Sequence, residues 1–328
     1  MSTEQTVIRI TVAGDPSVLQ VAAAPIPQPK AGEVLIRVSS AGVNRHDCNQ
    51  RASGTIHDGN PVPGLEVSGT IVETGDSSHF RPGDRVMALV QGGGYGEYVV
   101  AATSLTFAVP DLLDDDEAAA LPEALFTSWW NFFGLMQLRK NEFALVHGGT
   151  SGVGHIALQM LSALGFRVIA TCGTDEKVAA ALGYGAHYAL RYDDPDLASK
   201  VRAATDDQGI GVLLDMSAGA HFEQDLEMMA PDGRIAHLSG GGGKRLQVPL
   251  QKLMARRIRL TGSLLRPLPL PMKEAVASEI RERVWPLLGK EIRPTISSTF
   301  PLRDAAKAHE EMERNRHIGK IVLTVRED

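Results

Sequence analysis

The sequence predicts an α/β protein in which a compact β-rich domain is joined to a doubly wound domain with a parallel sheet. Its 328 residues are enough for about two domains. From residue 7 to about 109, short alternating apolar runs are separated by Gly and Pro, a pattern that favours antiparallel strands. From about 141 to 263, apolar runs alternate with amphipathic segments, which indicates repeated βαβ units.

The β-rich domain is placed at residues 1–124. Its predicted strands are 34–40, 67–75, 84–90 and 96–102. The acidic residues 114–117 precede a long apolar run, as the start of a helix prefers. Residues 114–136 are therefore predicted to form one helix.

The doubly wound domain is placed at residues 125–264. Its predicted strands are 143–147, 166–171, 187–190, 211–217, 234–239 and 258–263, and its predicted helices are 153–164, 175–182, 196–205 and 221–230. The tail, residues 265–328, is predicted to hold helices near 272–288 and 303–314 and a strand at 320–325. The tail is too short to be a domain, so we expect it to return to the first one.

The composition excludes several classes of protein. Lys and Arg number 33 against 39 Asp and Glu, and the net charge of −6 is spread along the chain. A generic nucleic-acid binder or a binder of anionic membranes needs a basic face instead. No apolar run reaches about eighteen residues, and no basic and apolar leader opens the chain. We therefore expect no membrane span, no nucleic-acid partner and a small-molecule substrate.

The two cysteines, Cys48 and Cys172, lie far apart in the sequence. Two thiols can form neither a disulfide framework nor a four-thiolate zinc site within one chain. Neither has an evident activating neighbour, so no redox role is assigned to them. This usage of cysteine favours the reducing cytoplasm.

A glycine-rich segment lies between the first strand and the first helix of the second domain, which is the context of the Rossmann phosphate loop. Gly149 is predicted to make the tight turn, Ser151 to take the place where the backbone approaches a pyrophosphate, and Gly154 to let the helix pack closely. The pattern is G-x-S-x-x-G rather than G-x-G-x-x-G, and an ordinary glycine-rich turn is the alternative. The candidate cofactor-binding residues here are Gly149, Thr150, Ser151, Gly152, Val153 and Gly154.

The end of the second strand of this domain indicates which dinucleotide is bound. No carboxylate stands at the strand end to repel a 2′-phosphate, and Asp175 follows slightly too late. Lys177 falls in the first turn of the next helix, where a cation is unfavourable unless an anion compensates it. The 2′-phosphate of NADPH is such an anion, and a solvated lysine is the alternative. The neighbouring candidate ligands are Gly173, Thr174 and Tyr192.

Eight stretches of the chain agree in residues, order and spacing with one known family. They are residues 41–54, 63–75, 83–89, 121–131, 146–154, 171–186, 261–267 and 317–323. Over nearly its whole length, the chain resembles the zinc-free NADPH:quinone oxidoreductases related to zeta-crystallin, in the medium-chain dehydrogenase/reductase superfamily. The resemblance implies a GroES-like catalytic domain, a Rossmann domain, NADPH as the cofactor, a quinone as the acceptor and a homodimer.

The resemblance also bears on metal binding. In zinc-dependent members of the superfamily, a Cys follows the strand that here ends in Ala-Gly-Val, and a Gly-His-Glu supplies the next ligand. This chain has Asn44 and Gly64-Leu65-Glu66 at those places. A leucine cannot bind zinc, and a single glutamate cannot hold it alone, so no metal is expected. Quinones and other conjugated carbonyls, which spread the arriving charge themselves, are then the favoured acceptors.

Four residues are candidates for the catalytic site. The resemblance places Asn44 against the nicotinamide, where its amide would donate to the acceptor oxygen, and a turn-stabilising role is the alternative. Asp47 and Arg51 follow closely, and an alternative role for Asp47 is to orient Arg51. Thr127 resembles the nicotinamide contact of the family, and hydrogen bonding within its own helix is the alternative.

Residues after the last two strands of the second domain, and one in the tail, complete the expected cofactor contacts. They are Ser239, Gly240, Ser263, Leu264, Leu265 and Lys320. His147 lies inside a predicted strand and is expected to be a hydrogen-bonded core residue.

The sequence leaves two other functions open. The same site would suit a reductase of conjugated enals, enones or enoyl thioesters. A non-catalytic NADPH-binding protein of the crystallin type is the alternative from another class, because the fold alone does not decide function.

Overall fold

A computed structural model describes residues 3–76, 79–217, 221–239 and 245–325. Packing divides the chain into two units, one formed by Met1–Ala124 with Leu270–Asp328 and the other by Leu125–Pro269. The tail thus rejoins the first unit at Leu270, whereas the sequence places this boundary at residue 265.

The strands and helices are as follows in chain order. The strands are β1 (Glu4–Ile10), β2 (Leu19–Pro25), β3 (Glu33–Val43), β4 (Glu66–Thr74), β5 (Arg85–Leu89), β6 (Tyr98–Ala102), β7 (Thr106–Ala108), β8 (Phe143–His147), β9 (Arg167–Cys172), β10 (Tyr188–Arg191), β11 (Ile210–Asp215), β12 (Met229–His237), β13 (Arg259–Gly262), β14 (Ile296–Pro301) and β15 (Lys320–Thr324). The α-helices are α1 (Arg45–Ser53), α2 (Asp115–Ala119), α3 (Pro122–Trp129), α4 (Gly154–Ala163), α5 (Asp175–Gly183), α6 (Leu197–Ala204), α7 (Phe222–Met228), α8 (Leu250–Ala255), α9 (Leu270–Arg283) and α10 (Ala305–Arg314).

The first unit is built on a seven-stranded sheet in the order β14-β15-β3-β4-β5-β7, with β6 also paired to β3. Only the pair β14–β15 is parallel among these pairings. Strand β15 runs antiparallel to β3, with Ile321 opposite Val43. The last strand therefore lies beside the strand that leads into α1. The strands β1 and β2 form a separate antiparallel hairpin.

The second unit contains a six-stranded sheet in the order β10-β9-β8-β11-β12-β13, and every neighbouring pair is parallel. This is the 3-2-1-4-5-6 order of a doubly wound domain. Every residue of β8 and of β11 is buried, as expected for inner strands of a parallel sheet that is covered on both faces. The fold class predicted from the sequence is confirmed.

The single helix predicted over residues 114–136 is wrong. Helix α2 ends at Ala119, and α3 starts at Pro122, whose missing N–H and fixed φ suit a first helical turn but not a helix interior. A π-helical stretch over Trp130–Leu135 follows. None of the helices in the described ranges combines the length and the apolar character that a membrane crossing needs.

Candidate active site and dinucleotide loop

The glycine-rich loop after β8 brings the start of α4 against the turn. The positive φ is at Gly148 (+69°), so the tight turn lies one residue before the predicted position at Gly149. Gly149 is needed for a different reason, because a Cβ there would lie 2.6 Å from Ala170 Cβ. A Cβ on Gly154 would lie 2.2 Å from the carbonyl oxygen of Gly148, so the start of the helix lies directly against the turn.

The start of α4 offers unpaired backbone donors. Ser151 Oγ accepts the Gly154 amide at 3.0 Å, and the Ser151 carbonyl accepts the His155 amide at 3.0 Å. The amides of Gly152 and Val153 donate to no acceptor within the ranges that the structure describes. Free amides at a helix N-terminus bind anions such as a pyrophosphate. Thr150, also predicted to bind the cofactor, is buried in the same turn.

The predicted 2′-phosphate ligands come together beyond the end of β9. A Cβ on Gly173 would lie 2.9 Å from Tyr192 Oη, so the tyrosine hydroxyl lies against the glycine backbone. Thr174 caps α5, because its Oγ1 accepts the backbone amide of Lys177 at 3.2 Å. Partial burial lowers the pKa of the Lys177 ammonium, as happens when a cation is held without full hydration.

A second cation at this edge, Arg191, is not among the ligands predicted from the sequence. Arg191 ends β10 and lies opposite Cys172 in the register of β9 and β10. Its guanidinium contacts Asp193 Oδ2 at 2.6 Å and Asp175 Oδ1 at 3.4 Å. The signal for it was its position at the carboxyl end of a parallel strand next to Cys172. Asp175 therefore has a cationic partner and is not an isolated carboxylate at this edge.

The other expected cofactor contacts in this unit have different surroundings. The amide of Ser263 donates to the His237 carbonyl at 3.0 Å, and its Oγ is buried without a partner in the described part of the chain. The side chain of Leu264 is exposed, whereas Leu265 and Thr127 are buried and Ser239 is half-buried. Gly240 lies outside the described residues.

His147 is a buried core residue, as predicted. Its Nδ1 contacts Thr171 Oγ1 at 2.6 Å and its Nε2 contacts Asp225 Oδ1 at 2.8 Å. The hydrogen bond to Asp225 raises the pKa of the imidazole despite its burial.

Asn44, Glu66 and Lys320 form a buried group in the first unit, with side chains 7%, 0% and 1% exposed. Asn44 Nδ2 donates to Glu66 Oε1 at 2.9 Å, and Asn44 Oδ1 accepts from Lys320 Nζ at 2.7 Å. Lys320 Nζ also donates to Glu66 Oε1 at 2.5 Å. The amide orientation is fixed because its oxygen faces a donor and its nitrogen faces an acceptor.

The sheet register and two glycines make this group possible. Since Ile321 pairs with Val43, the preceding Lys320 comes beside Asn44. Gly319 has a φ of +86°, and a Cβ there would lie 2.1 Å from the carbonyl oxygen of Thr295. A Cβ on Gly42 would lie 2.3 Å from Glu66 Oε1. Lys320 was expected to contact the cofactor, but its ammonium is directed to Asn44 and Glu66.

Asp47 is wholly buried and holds the loop around Asn44. Its Oδ2 accepts the Asn44 amide at 2.8 Å and Tyr95 Oη at 3.2 Å, and its Oδ1 accepts the Gly64 amide at 3.2 Å. Tyr95 Oη also forms a hydrogen bond with His309 Nε2, at 3.1 Å. Burial raises the pKa of Asp47 to about 7 and lowers that of His309 to about 3.

Arg51 does not contact Asp47. Its side chain is 2% exposed and forms an ion pair with Glu313 of α10. The proposed orienting of Arg51 by Asp47 is therefore wrong, because both Asp47 oxygens are bonded to other donors. Through these contacts, Asp47 and Arg51 stabilise the position of α1.

The residues around Asn44 do not fit a zinc ion. The group offers one carboxylate and one amide, and the carboxylate oxygen Glu66 Oε1 is already bonded to the Lys320 ammonium. A divalent cation would meet a like charge here and would lack the thiolate or imidazole ligands that it prefers. In the described ranges, no group of three or more His, Cys, Asp or Glu could hold a metal ion.

Burial raises the pKa of Cys48 to about 12 and of Cys172 to about 11, so both are thiols at neutral pH.

Comparison with known proteins adds the following similarities. Residues 30–111 match the alcohol dehydrogenase GroES-like domain, and residues 152–281 match the zinc-binding dehydrogenase family. The quinone oxidoreductase of Sus scrofa is 31% identical over 327 residues, which cover 96% of each chain. A mycobacterial protein solved in complex with NADPH is 29% identical, with a TM-score of 0.85 over 98% of this chain and 100% of that one. The CurK enoyl reductase, 22% identical with a TM-score of 0.85 over 98% of this chain and 99% of that one, shares the fold.

Proposed function

Because the chain belongs to the quinone oxidoreductases of the medium-chain dehydrogenase/reductase superfamily, we propose that it is an NADPH-dependent enzyme that reduces quinones. The observation that carries this proposal is the full-length similarity to quinone oxidoreductases in a chain with a built dinucleotide loop. Bound NADPH supplies a hydride from its nicotinamide.

The loop residues 149–154 bind the pyrophosphate of the cofactor. The free amides of Gly152 and Val153 point to this role, together with the positive end of the α4 dipole. The buried, unpaired hydroxyl of Ser263 supports a further cofactor contact after β13. Contacts from Thr127, Ser239, Leu264 and Leu265 remain predictions.

The adenosine 2′-phosphate is bound by Lys177, Thr174, Tyr192 and Arg191. Two cations and two hydroxyl groups lie at the carboxyl ends of β9 and β10. Asp175 and Asp193 are paired with Arg191, and Glu176 is the carboxylate that acts on Lys177. A phosphate with charge-assisted hydrogen bonds to such groups offsets the partial desolvation of Lys177. This arrangement favours NADPH over NADH.

The acceptor is bound by the amide of Asn44. One of its N–H groups is bonded to Glu66, and the second is available to donate to a quinone oxygen. As the hydride arrives, this oxygen gains negative charge, which the conjugated ring spreads before a proton completes the hydroquinone. The chain's task is to hold the acceptor in place and stabilise this charge.

A substrate panel tests the proposal. NADPH oxidation is followed optically with benzoquinone, phenanthrenequinone, an enal and crotonyl thioester, and it is repeated with NADH and with a chelator. We expect turnover with the quinones that is unaffected by the chelator. Turnover of the enal or thioester alone would establish the alternative, which the shared fold of the CurK enoyl reductase permits. Tight NADPH binding without turnover would make the protein a non-catalytic binder.

Replacing Lys177 tests the choice of cofactor. Lys177→Ala is expected to weaken NADPH binding by about tenfold to a hundredfold, the value of one or two charge-assisted hydrogen bonds, with less than about a twofold change for NADH. Lys252→Ala is the matched control, because it removes an exposed lysine of the same unit that pairs with Glu227 on α7. Equal losses for both dinucleotides in Lys177→Ala would contradict the assignment.

We further propose that the enzyme is a cytoplasmic homodimer with no nucleic-acid partner. Strand β13 is an edge of the six-stranded sheet, and sheet edges pair readily with other chains. Leu250, Met254 and Leu264 flank it and are each more than 60% exposed, at 64%, 63% and 67%. The two free, buried thiols agree with a cytoplasmic location. The net charge of −6 agrees with the absence of a nucleic-acid partner.

A further inference from the structure

We propose that the buried ammonium of Lys320 is a fixed internal cation that acts through Asn44 to stabilise negative charge on the acceptor oxygen. It thereby supplies the positive charge that a metal ion supplies in zinc-dependent relatives. Lys320 is a positioning residue in this scheme, since Asn44 alone touches the acceptor. The inference rests on the proposed function and deepens it.

The ammonium of Lys320 polarises the Asn44 amide. The ammonium lies 2.7 Å from the Asn44 oxygen. Because an amide is conjugated, a cation at its oxygen draws electron density from its nitrogen and makes the remaining N–H a stronger donor. The group is almost wholly buried, so solvent and salt screen this effect weakly.

The carboxylate beside Lys320 belongs to Glu66. The charge of Glu66 is shared among three donors, because Oε1 accepts from Lys320 and Asn44 and Oε2 accepts the backbone amide of Glu123 at 2.9 Å. Glu123 lies in the first turn of α3, where the helix dipole also favours a negative charge. Glu66 therefore orients Lys320 and Asn44 while its own charge is dispersed.

Burial of the Lys320–Glu66 pair costs free energy of folding. Burying two charges is expensive, and an apolar pair of similar size is often as stable as a buried ion pair. Here Gly42 also makes room for the pair, since a Cβ at this position would lie 2.3 Å from Glu66 Oε1. Packing alone does not require a lysine, a glutamate and a glycine at this place.

The test compares Lys320→Met/Glu66→Gln with the wild-type enzyme. This double variant removes both charges, keeps similar side-chain volumes and leaves no buried charge unpaired. We expect its thermal unfolding midpoint and its NADPH affinity to stay close to the wild-type values, while kcat falls at least about tenfold. The loss should be larger for an enal, whose enolate spreads charge over oxygen and one carbon, than for benzoquinone, whose anion spreads charge over a ring.

The control is Lys273→Met, because Lys273 is a second buried lysine of the same unit, 2% exposed, on α9. We expect this variant to keep the wild-type kcat for every acceptor. Ethylammonium added to Lys320→Ala should restore part of the lost turnover, and propanol should not. Equal losses for all acceptors, or a loss confined to the KM for NADPH, would overturn the inference.

A spectroscopic measurement separates this inference from the proposed function. 4-Nitrophenol titrated into the NADP⁺-bound protein mimics the acceptor oxyanion, and its absorption reports ionisation. We expect its apparent pKa to fall on binding to the wild-type protein and to Lys273→Met but to stay unchanged with the double variant. If no acceptor of the panel is reduced by NADPH and the wild-type protein, although the phenol shift is observed, the proposed function alone would be refuted. The same phenol shift in wild-type and double variant would refute the role of Lys320 alone.

Discussion

Gly154 illustrates what a sequence motif specifies at the scale of one residue. The motif spacing identified this glycine, and the close approach of its Cα to the Gly148 carbonyl gives the physical reason. The motif did not identify which glycine takes the left-handed conformation, and the turn proved to lie at Gly148 rather than Gly149. The spacing of the motif predicts that the chain turns here, but it does not specify which residue has the positive φ.

Gly154→Ala is expected to destabilise the second unit and weaken NADPH binding. The added Cβ would lie 2.2 Å from a backbone oxygen, so the helix start must move away from the turn. We expect a loss of about 1–3 kcal/mol in the free energy of unfolding, typical of overpacking, and at least about tenfold weaker NADPH binding. Denaturant unfolding and a binding titration measure the two effects.

The matched control is Gly183→Ala at the end of α5. A Cβ there meets no atom within 4 Å, and its φ is not in the left-handed region. We expect this variant to gain up to about 1 kcal/mol through helix propensity and to bind NADPH unchanged. Similar behaviour of the two variants would contradict the close-approach explanation.

The Asn44 group shows what residue patterns leave out. Asn44 was found through the resemblance, but its partners were not, because Lys320 and Glu66 lie 254 positions apart in the chain. The pairing of β15 with β3 brings them together, and no local pattern encodes that pairing.

At the scale of elements, sequence periodicity predicted most helices and strands of the second unit, but it missed α8 and placed the start of β12 at 234 instead of Met229. In the first unit it missed α1. Strand β8 lies where it was predicted, and α4 and α5 agree with their predicted ranges to about one residue. Helix α1 has no apolar stripe, because its buried positions include Asp47, Gln50 and Arg51. Polar residues that are satisfied by tertiary contacts carry no periodic signal.

Hydrogen bonds join His309 on α10 to Tyr95 and Tyr95 to Asp47 on α1. We expect variants of Asp47 and of His309 to show opposite dependences of the free energy of unfolding on pH. The pKa of Asp47 rises on folding from 3.8 to about 7, so its stabilising contribution is full below pH 3.8 and is lost as the pH rises to about 7. The pKa of His309 falls on folding from 6.5 to about 3, so its contribution grows over that range. Between about pH 4 and 6.5 the two slopes oppose each other.

Relative to the wild type, the unfolding free energy of Asp47→Asn should therefore rise with pH, by up to about 1.4 kcal/mol per pH unit between pH 4 and 6.5. His309→Gln should show the reverse slope over the same interval. Urea unfolding at several pH values measures both. Curves that run parallel to the wild type in both variants would show that these two groups do not titrate differently on folding.

At the scale of the whole molecule, alternating strands and helices predicted the parallel sheet, and the short tail predicted a return of the chain. The return begins at Leu270, inside the proline-rich run of residues 266–271, which the predicted boundary at 265 just precedes. The boundary depends on which unit α9 packs against, which is a tertiary property. The same limit applies to association between chains.

The proposed homodimer predicts a change of mass. Leu250→Asp/Met254→Asp places two charges on the exposed face of α8, where residues four apart lie side by side. Light scattering should then give the mass of one chain, 35.2 kDa, instead of twice that value. Leu182→Asp, at an exposed position of α5, is the control and should keep the larger mass. An unchanged mass in the double variant would exclude this face as the interface.

The pairing of β15 with β3 has a consequence for synthesis of the protein. A nascent chain presents β3 early, but the strand that completes its sheet, and the lysine at the head of that strand, are translated after the entire second unit. The intervening unit can fold on the ribosome while β3 still lacks its partner strand β15. Chains that stop before Lys320 would keep the dinucleotide loop but would lack the ammonium that contacts Asn44 and Glu66.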